Sequence, residues 1–191
     1  PLTFEDMMKL KSAASRRVSH DGKFVLFSAV DVDLSANTRT PHVWVVPTAG
    51  GKEQEIISDQ DADQPRWAPD GKRFLFISNR EDGSQIWIAD FDSATGKVTG
   101  IHKLTSIATE ADGPIWSPDG KNIVFVSNVY PECDGAAAKE QECNAKKLDE
   151  VKNSKVKALI CTHLLYRHWT AYKEGKRSHL FVVSVDGGAG A

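Results

Sequence analysis

Short apolar runs broken by polar corners recur along this chain, and helical patterning is confined to two places. Phe24-Val25-Leu26-Phe27-Ser28, Phe74-Leu75-Phe76-Ile77-Ser78 and Ile123-Val124-Phe125-Val126-Ser127 are apolar up to a closing serine and rich in aromatic and β-branched residues. Such runs read as strands buried on both faces. Each follows an Asp-Gly-Lys corner, led in by Ser19-His20, Ala68-Pro69 and Ser117-Pro118. Proline presets φ at the first central position of a type I turn, and aspartate tolerates the second. Glycine takes the left-handed conformation that follows, so each corner joins two antiparallel strands.

The Asp-Gly pairs begin at 21, 70 and 119, a fixed period of 49 residues. Periodicity in this range marks a repeat architecture. The second unit is the most regular, with strands at Pro65-Arg66-Trp67, Phe74 to Ser78, Gln85 to Ala89 and Ile101 to Leu104. Four short strands per unit describe a propeller blade. The expectation is an all-β chain, a partial β-propeller of about three four-stranded blades with the last incomplete. A segment over 1–16 is expected to form a short helix capped by Thr3, followed by blade one over 17–58 and blade two over 59–106. Blade three covers 107–191.

In the third unit the strand matching Gln85 to Ala89 arrives only at His179 to Val185, which implies an insertion over 129–178. Ala136 to Lys157 is rich in Ala, Lys, Glu and Leu and reads as its helix, with Glu142 and Lys146 spaced for an ion pair. Three blades do not close a ring. The chain is therefore expected to belong to a longer polypeptide, or to an assembly in which open blade edges self-associate.

Composition narrows the function. A formal charge of −2 argues against nucleic-acid binding, and no apolar run reaches the length of a membrane span. Cys133 and Cys143 flank the start of the insertion helix. They are either a disulfide or two free thiols; a bridge implies a periplasmic or secreted location. Cys161, in an apolar stretch, reads as a buried thiol. Arg167, His168, Trp169 and Tyr172 crowd a short stretch, suited either to a ligand pocket or to anchoring the insertion on its blade. No Gly-x-Ser-x-Gly, His-Glu-x-x-His or Cys-x-x-Cys occurs. No catalytic residue, metal ligand or cofactor is assigned. Asp59, Asp61 and Asp63 lack the glycine and distal glutamate of an EF-hand and read as a solvated linker.

Trp67-Ala68-Pro69-Asp70-Gly71-Lys72 and Trp116-Ser117-Pro118-Asp119-Gly120-Lys121 resemble the TolB-type propeller repeat. With Leu2-Thr3-Phe4-Glu5-Asp6, Tyr130-Pro131-Glu132-Cys133, Leu164 to Trp169 and Gly175 to Val182, essentially the whole chain resembles the amino-terminal half-propeller of bacterial prolyl-oligopeptidase-family enzymes. The similar branch is the dipeptidyl-peptidase V and acylaminoacyl-peptidase group. His20 departs from the usual proline. The resemblance implies a C-terminal α/β-hydrolase domain carrying a Ser-Asp-His triad, none of which lies in this chain. This part would gate entry of short peptide substrates and contact the hydrolase domain. Glu142 and Glu150 would be donors of negative charge to a peptide amino terminus. The alternative is a non-catalytic TolB-type propeller that binds partner proteins.

Overall fold

The structure, a computed structural model, describes residues 1–81, 83–156, 158, 161, 164, 167–169 and 171–186. Helix α1 (Phe4–Met8) precedes a first sheet of β1 (Ala13–Val18), β2 (Phe24–Asp33), β3 (Thr38–Pro47) and β4 (Gln54–Ile57). The second sheet is β5 (Asp63–Trp67), β6 (Arg73–Ser78), β7 (Gln85–Asp92) and β8 (Lys97–Lys103). Both are antiparallel meanders in chain order. The third sheet pairs β9 (Asp112–Trp116) with β10 (Asn122–Val129). It then takes β13 (Arg177–Ser184) as its third strand. Between β10 and β13 lie helix α2 (Ala137–Asn153) and a ribbon of β11 (Arg167–His168) and β12 (Ala171–Tyr172). The architecture is that of a partial propeller. The first blade's inner strand starts at Ala13, ahead of the Arg17 boundary drawn from sequence.

The second sheet explains its own unbroken apolar strands. Phe74, Phe76, Trp87 and Ala89 face a core shared with Leu26, Val43 and Val45 of the first sheet. Leu75, Ile86 and Ile88 face a separate core with Ile123, Phe125 and Phe181 of the third. A strand covered on both faces has no reason to alternate. On β10, by contrast, Ile123, Phe125, Ser127 and Val129 are buried, and the residues between them are less so. On the other face of the third sheet, Ile115, Leu180 and Val182 are exposed.

The 49-residue period survives in atomic detail. Gly22, Gly71 and Gly120 hold φ of +72°, +67° and +70°. Each donates its N–H to the residue three earlier, Ser19, Ala68 and Ser117. Trp67 Nε1 donates to Arg17 O, and Trp116 Nε1 donates to Arg66 O, both at 3.1 Å. One unit thus hydrogen-bonds to its predecessor by the same pair of positions. The inner strands β1 and β5 each carry a bulge, at Ser15 and Gln64, where φ is +51° and +53°; Gly113 of β9 repeats the conformation at +58°. The acidic link is no free linker. Asp61 accepts from Ser78 Oγ and Asn79 N, and Asp59 pairs with Arg80 at 3.3 Å. The Ser78 hydroxyl is buried and the Arg80 side chain nearly so, and each finds a partner among these carboxylates.

Candidate functional site

Two regions carry chemistry suited to contact with other molecules. The first is the insertion. A 3₁₀ turn over Pro131–Cys133 leads into α2, and a disulfide joins Cys133 to Cys143. Beneath it Asn144 is fully buried. Its Oδ1 accepts from Tyr130 N at 2.8 Å, and its Nδ2 donates to Glu140 O at 2.9 Å. Lys147 Nζ lies 2.6 Å from Glu132 Oε1. That hydrogen bond lowers the Glu132 pKa and raises that of Lys147. Lys147 and Lys176 both stand over the Tyr130 ring, at 5.7 and 5.8 Å from its centroid. The helix is shorter than expected, ending at Asn153; Lys157 lies outside the described residues.

The predicted site residues separate into two groups. Arg167 pairs with Tyr172 and His168 with Ala171 across the short ribbon. Directly opposed residues project to one side, so Arg167 and Tyr172 share a face. Trp169 holds the turn at φ +51° and is 86% exposed. Tyr172 is exposed as well. Leu165 and Tyr166 of the same motif lie outside the described residues. Glu142 and Glu150 sit on the exposed side of α2, whose packing partner is the 3₁₀ turn. Cys161 is exposed, contrary to the buried thiol expected. An apolar neighbourhood in sequence does not by itself supply a covering surface.

Sequence reasoning missed the second region, on the inner strands. The first two sheets approach closely along β1 and β5, and β9 continues beside β5. A cavity of about 330 Å³ opens at their corners, lined by His20, Arg66, Trp67, Pro69, Trp116 and Pro118. The carbonyls of Arg17 and Arg66 are occupied by the indole donors. Arg66 Nη1 is buried with no hydrogen-bond partner. Burial, and then the like charge of Arg17, pull the Arg66 guanidinium below its usual value. A cation held this way favours an anionic or carbonyl oxygen ligand. The signal was available: Arg17 and Arg66 are 49 apart, each one residue before the inner strand's last position. Among the described residues, ligating side chains also cluster at Asp31, His42 and Glu55, on the far face of the first sheet.

The fold and these surfaces define a propeller segment. Comparison with known proteins gives it relatives. No family model matches the chain. It is 26% identical over 196 residues to dipeptidyl-peptidase 5 of Porphyromonas gingivalis, covering 98% of this chain and 25% of that protein. It is 29% identical over 108 residues to the uncharacterized peptidase YuxL of Bacillus subtilis, covering 56% of this chain and 16% of that one. The chain thus spans a quarter or less of the curated relatives it matches. Among solved structures, acylaminoacyl peptidase of Pyrococcus horikoshii superposes with a TM-score of 0.67 at 16% identity, over 96% of this chain and 25% of that one. A putative TolB from Agrobacterium tumefaciens gives 0.55 at 19% identity, over 95% and 48%. The relatives are peptidases, and the shared fold is that of acylaminoacyl-peptidase and TolB propellers, in line with the resemblance carried by the repeats.

Proposed function

We propose that this chain is the propeller portion of a serine-type peptidase of the prolyl-oligopeptidase kind, cleaving dipeptides or acylated residues from short peptides. The observation that carries the reading is the similarity to dipeptidyl-peptidase 5 along 98% of the chain. Chemistry belongs to a hydrolase domain of the same polypeptide. The propeller restricts access and supplies contacts. Its inner strands put the guanidinium of Arg66, short of acceptors, beside a cavity walled by indoles and prolines. Peptide carbonyls and carboxylates suit such a cation, and apolar side chains suit the indole walls. The exposed apolar side of α1, with Leu2, Phe4, Met7 and Leu10, is the surface that meets the hydrolase domain. A disulfide in the insertion fits a periplasmic or secreted setting.

The test is a paired assay. The complete polypeptide is expected to contain Gly-x-Ser-x-Gly, to release product from dipeptidyl or acylaminoacyl chromogenic substrates, and to lose activity with a serine-directed fluorophosphonate. The 191-residue propeller alone is expected to give no turnover. Robust hydrolysis by the propeller alone, or a complete polypeptide without a hydrolase domain, overturns the reading; the second result leaves a partner-binding TolB-type propeller.

A further inference from the structure

Three side chains from three neighbouring strands of the first sheet converge on one point. Leu26, Val43 and Ile57 face the core shared with the second sheet. Alternation turns Asp31 of β2 and His42 of β3 to the opposite face. The pairing of Ala29 with His42 makes Asp31 a diagonal neighbour of His42. Glu55 lies two residues from Ile57 and would share its face in a regular strand. The register shift between the Val43↔Ile57 and Trp44↔Glu55 pairs re-aims Glu55 to the side of His42.

The result is a compact donor set. His42 Nδ1 lies 2.9 Å from Asp31 Oδ2 and 2.7 Å from Glu55 Oε1. One ligating atom from each residue falls within 4.8 Å of the others. The imidazole is largely buried, and the two carboxylates are partly open to solvent. Lys11 pairs with the other oxygen of Asp31, Oδ1, and its ammonium stands 4.6 Å over the Trp44 ring. Oδ2 is left to His42.

A ring nitrogen carries at most one hydrogen, so Nδ1 serves two carboxylates incompletely. A cation where the three atoms meet satisfies all of them. Oxygen and nitrogen ligands held about 2.0–2.2 Å from an ion stand roughly 3 Å from one another, close to the 2.9 and 2.7 Å that separate His42 Nδ1 from the two carboxylates. We propose that Asp31, His42 and Glu55 bind a divalent transition-metal ion of the Zn²⁺ class, with water completing its coordination. One imidazole with two carboxylates suits Zn²⁺, Co²⁺ or Mn²⁺ better than Ca²⁺ or Mg²⁺, which take oxygen ligands. Because the donors stand on hydrogen-bonded strands, the ion ties β2, β3 and β4 together across the outer half of the first blade.

The test uses untagged protein carrying Cys161→Ser, so that neither a histidine tag nor the free thiol competes. Co²⁺ titration followed by visible absorption is expected to saturate at one ion per chain. Zn²⁺ is expected to displace Co²⁺ and to raise the melting temperature. Glu55→Gln and His42→Gln, checked for folding by circular dichroism, are expected to weaken binding by about tenfold or more. Lys11→Ala alters none of the three ligands, frees the second Asp31 oxygen and removes a positive charge, so it is expected to tighten binding. Absence of saturable uptake at millimolar ion, binding unchanged by Glu55→Gln, or binding weakened by Lys11→Ala overturns the proposal.

Discussion

At the residue scale the corners carry most of the testable content. Gly71 holds φ +67° with open space where a Cβ would sit. Gly71→Ala therefore meets no clash, and its cost is backbone conformation alone, about 1–2 kcal/mol by denaturant unfolding. Trp116→Phe keeps the ring but loses the donor to Arg66 O. The expected loss is about 1 kcal/mol, and Trp116→Ala is expected to exceed it clearly. The corner aspartates make stability depend on pH. Asp21 and Asp119 accept from Ser19 and Ser117 hydroxyls and then from the N–H groups of Lys23 and Lys121. These bonds hold both carboxyls below their ordinary value of 3.8. A folded-state pKa lowered in this way contributes stability that is complete above the unfolded value. That stability is lost as pH falls through the folded value. Melting temperature is expected to decline in a window beginning near 3.8 and extending below it. The Asp21→Asn/Asp119→Asn double variant is expected to flatten that decline; an unchanged slope would assign the acid sensitivity elsewhere.

At the scale of elements, covalent and polar ties hold the described part of the insertion. Asn144 is its pivot, since Asn144→Ala leaves the buried Tyr130 N–H without an acceptor. The expected cost is about 1–3 kcal/mol, read as earlier proteolysis or unfolding of α2. The Cys133–Cys143 disulfide closes a step of 10 residues. Its loss is expected to destabilise the insertion by up to ~3 kcal/mol on the chain-entropy account. Thiol titration of unfolded protein is expected to find one reactive cysteine without reductant and three with it. Strands of the second sheet were legible because burial on two faces leaves an unbroken apolar run. The inner-strand bulges were not legible. Ser15, Gln64 and Gly113 share one left-handed conformation but no residue type, so no local pattern announces it. The position of Glu55 is hidden by the same cause, since a bulge reverses the face that alternation would assign.

At the scale of the whole molecule, the third sheet presents apolar side chains to solvent. Ile115, Leu180 and Val182 are exposed on it, and Val124 pairs with both Ile115 and Val182 on the same face. Contiguous apolar surface of this kind promotes association. The chain is expected to associate with rising concentration in sedimentation experiments, and Leu180→Lys to shift it toward monomer. What the chain's order of residues determined alone was the unit: a corner of fixed chemistry every 49 residues, followed by strands too apolar to face water. Those features are local, so they can be read locally. Tertiary structure decided which separated groups meet. The acceptor-poor guanidinium of Arg66 and the union of Asp31, His42 and Glu55 arise from packing between strands and from bulges that re-aim single side chains. The second does not depend on spacing along the chain, which is why no motif revealed it; the first left only the 49-residue interval between Arg17 and Arg66 as a trace.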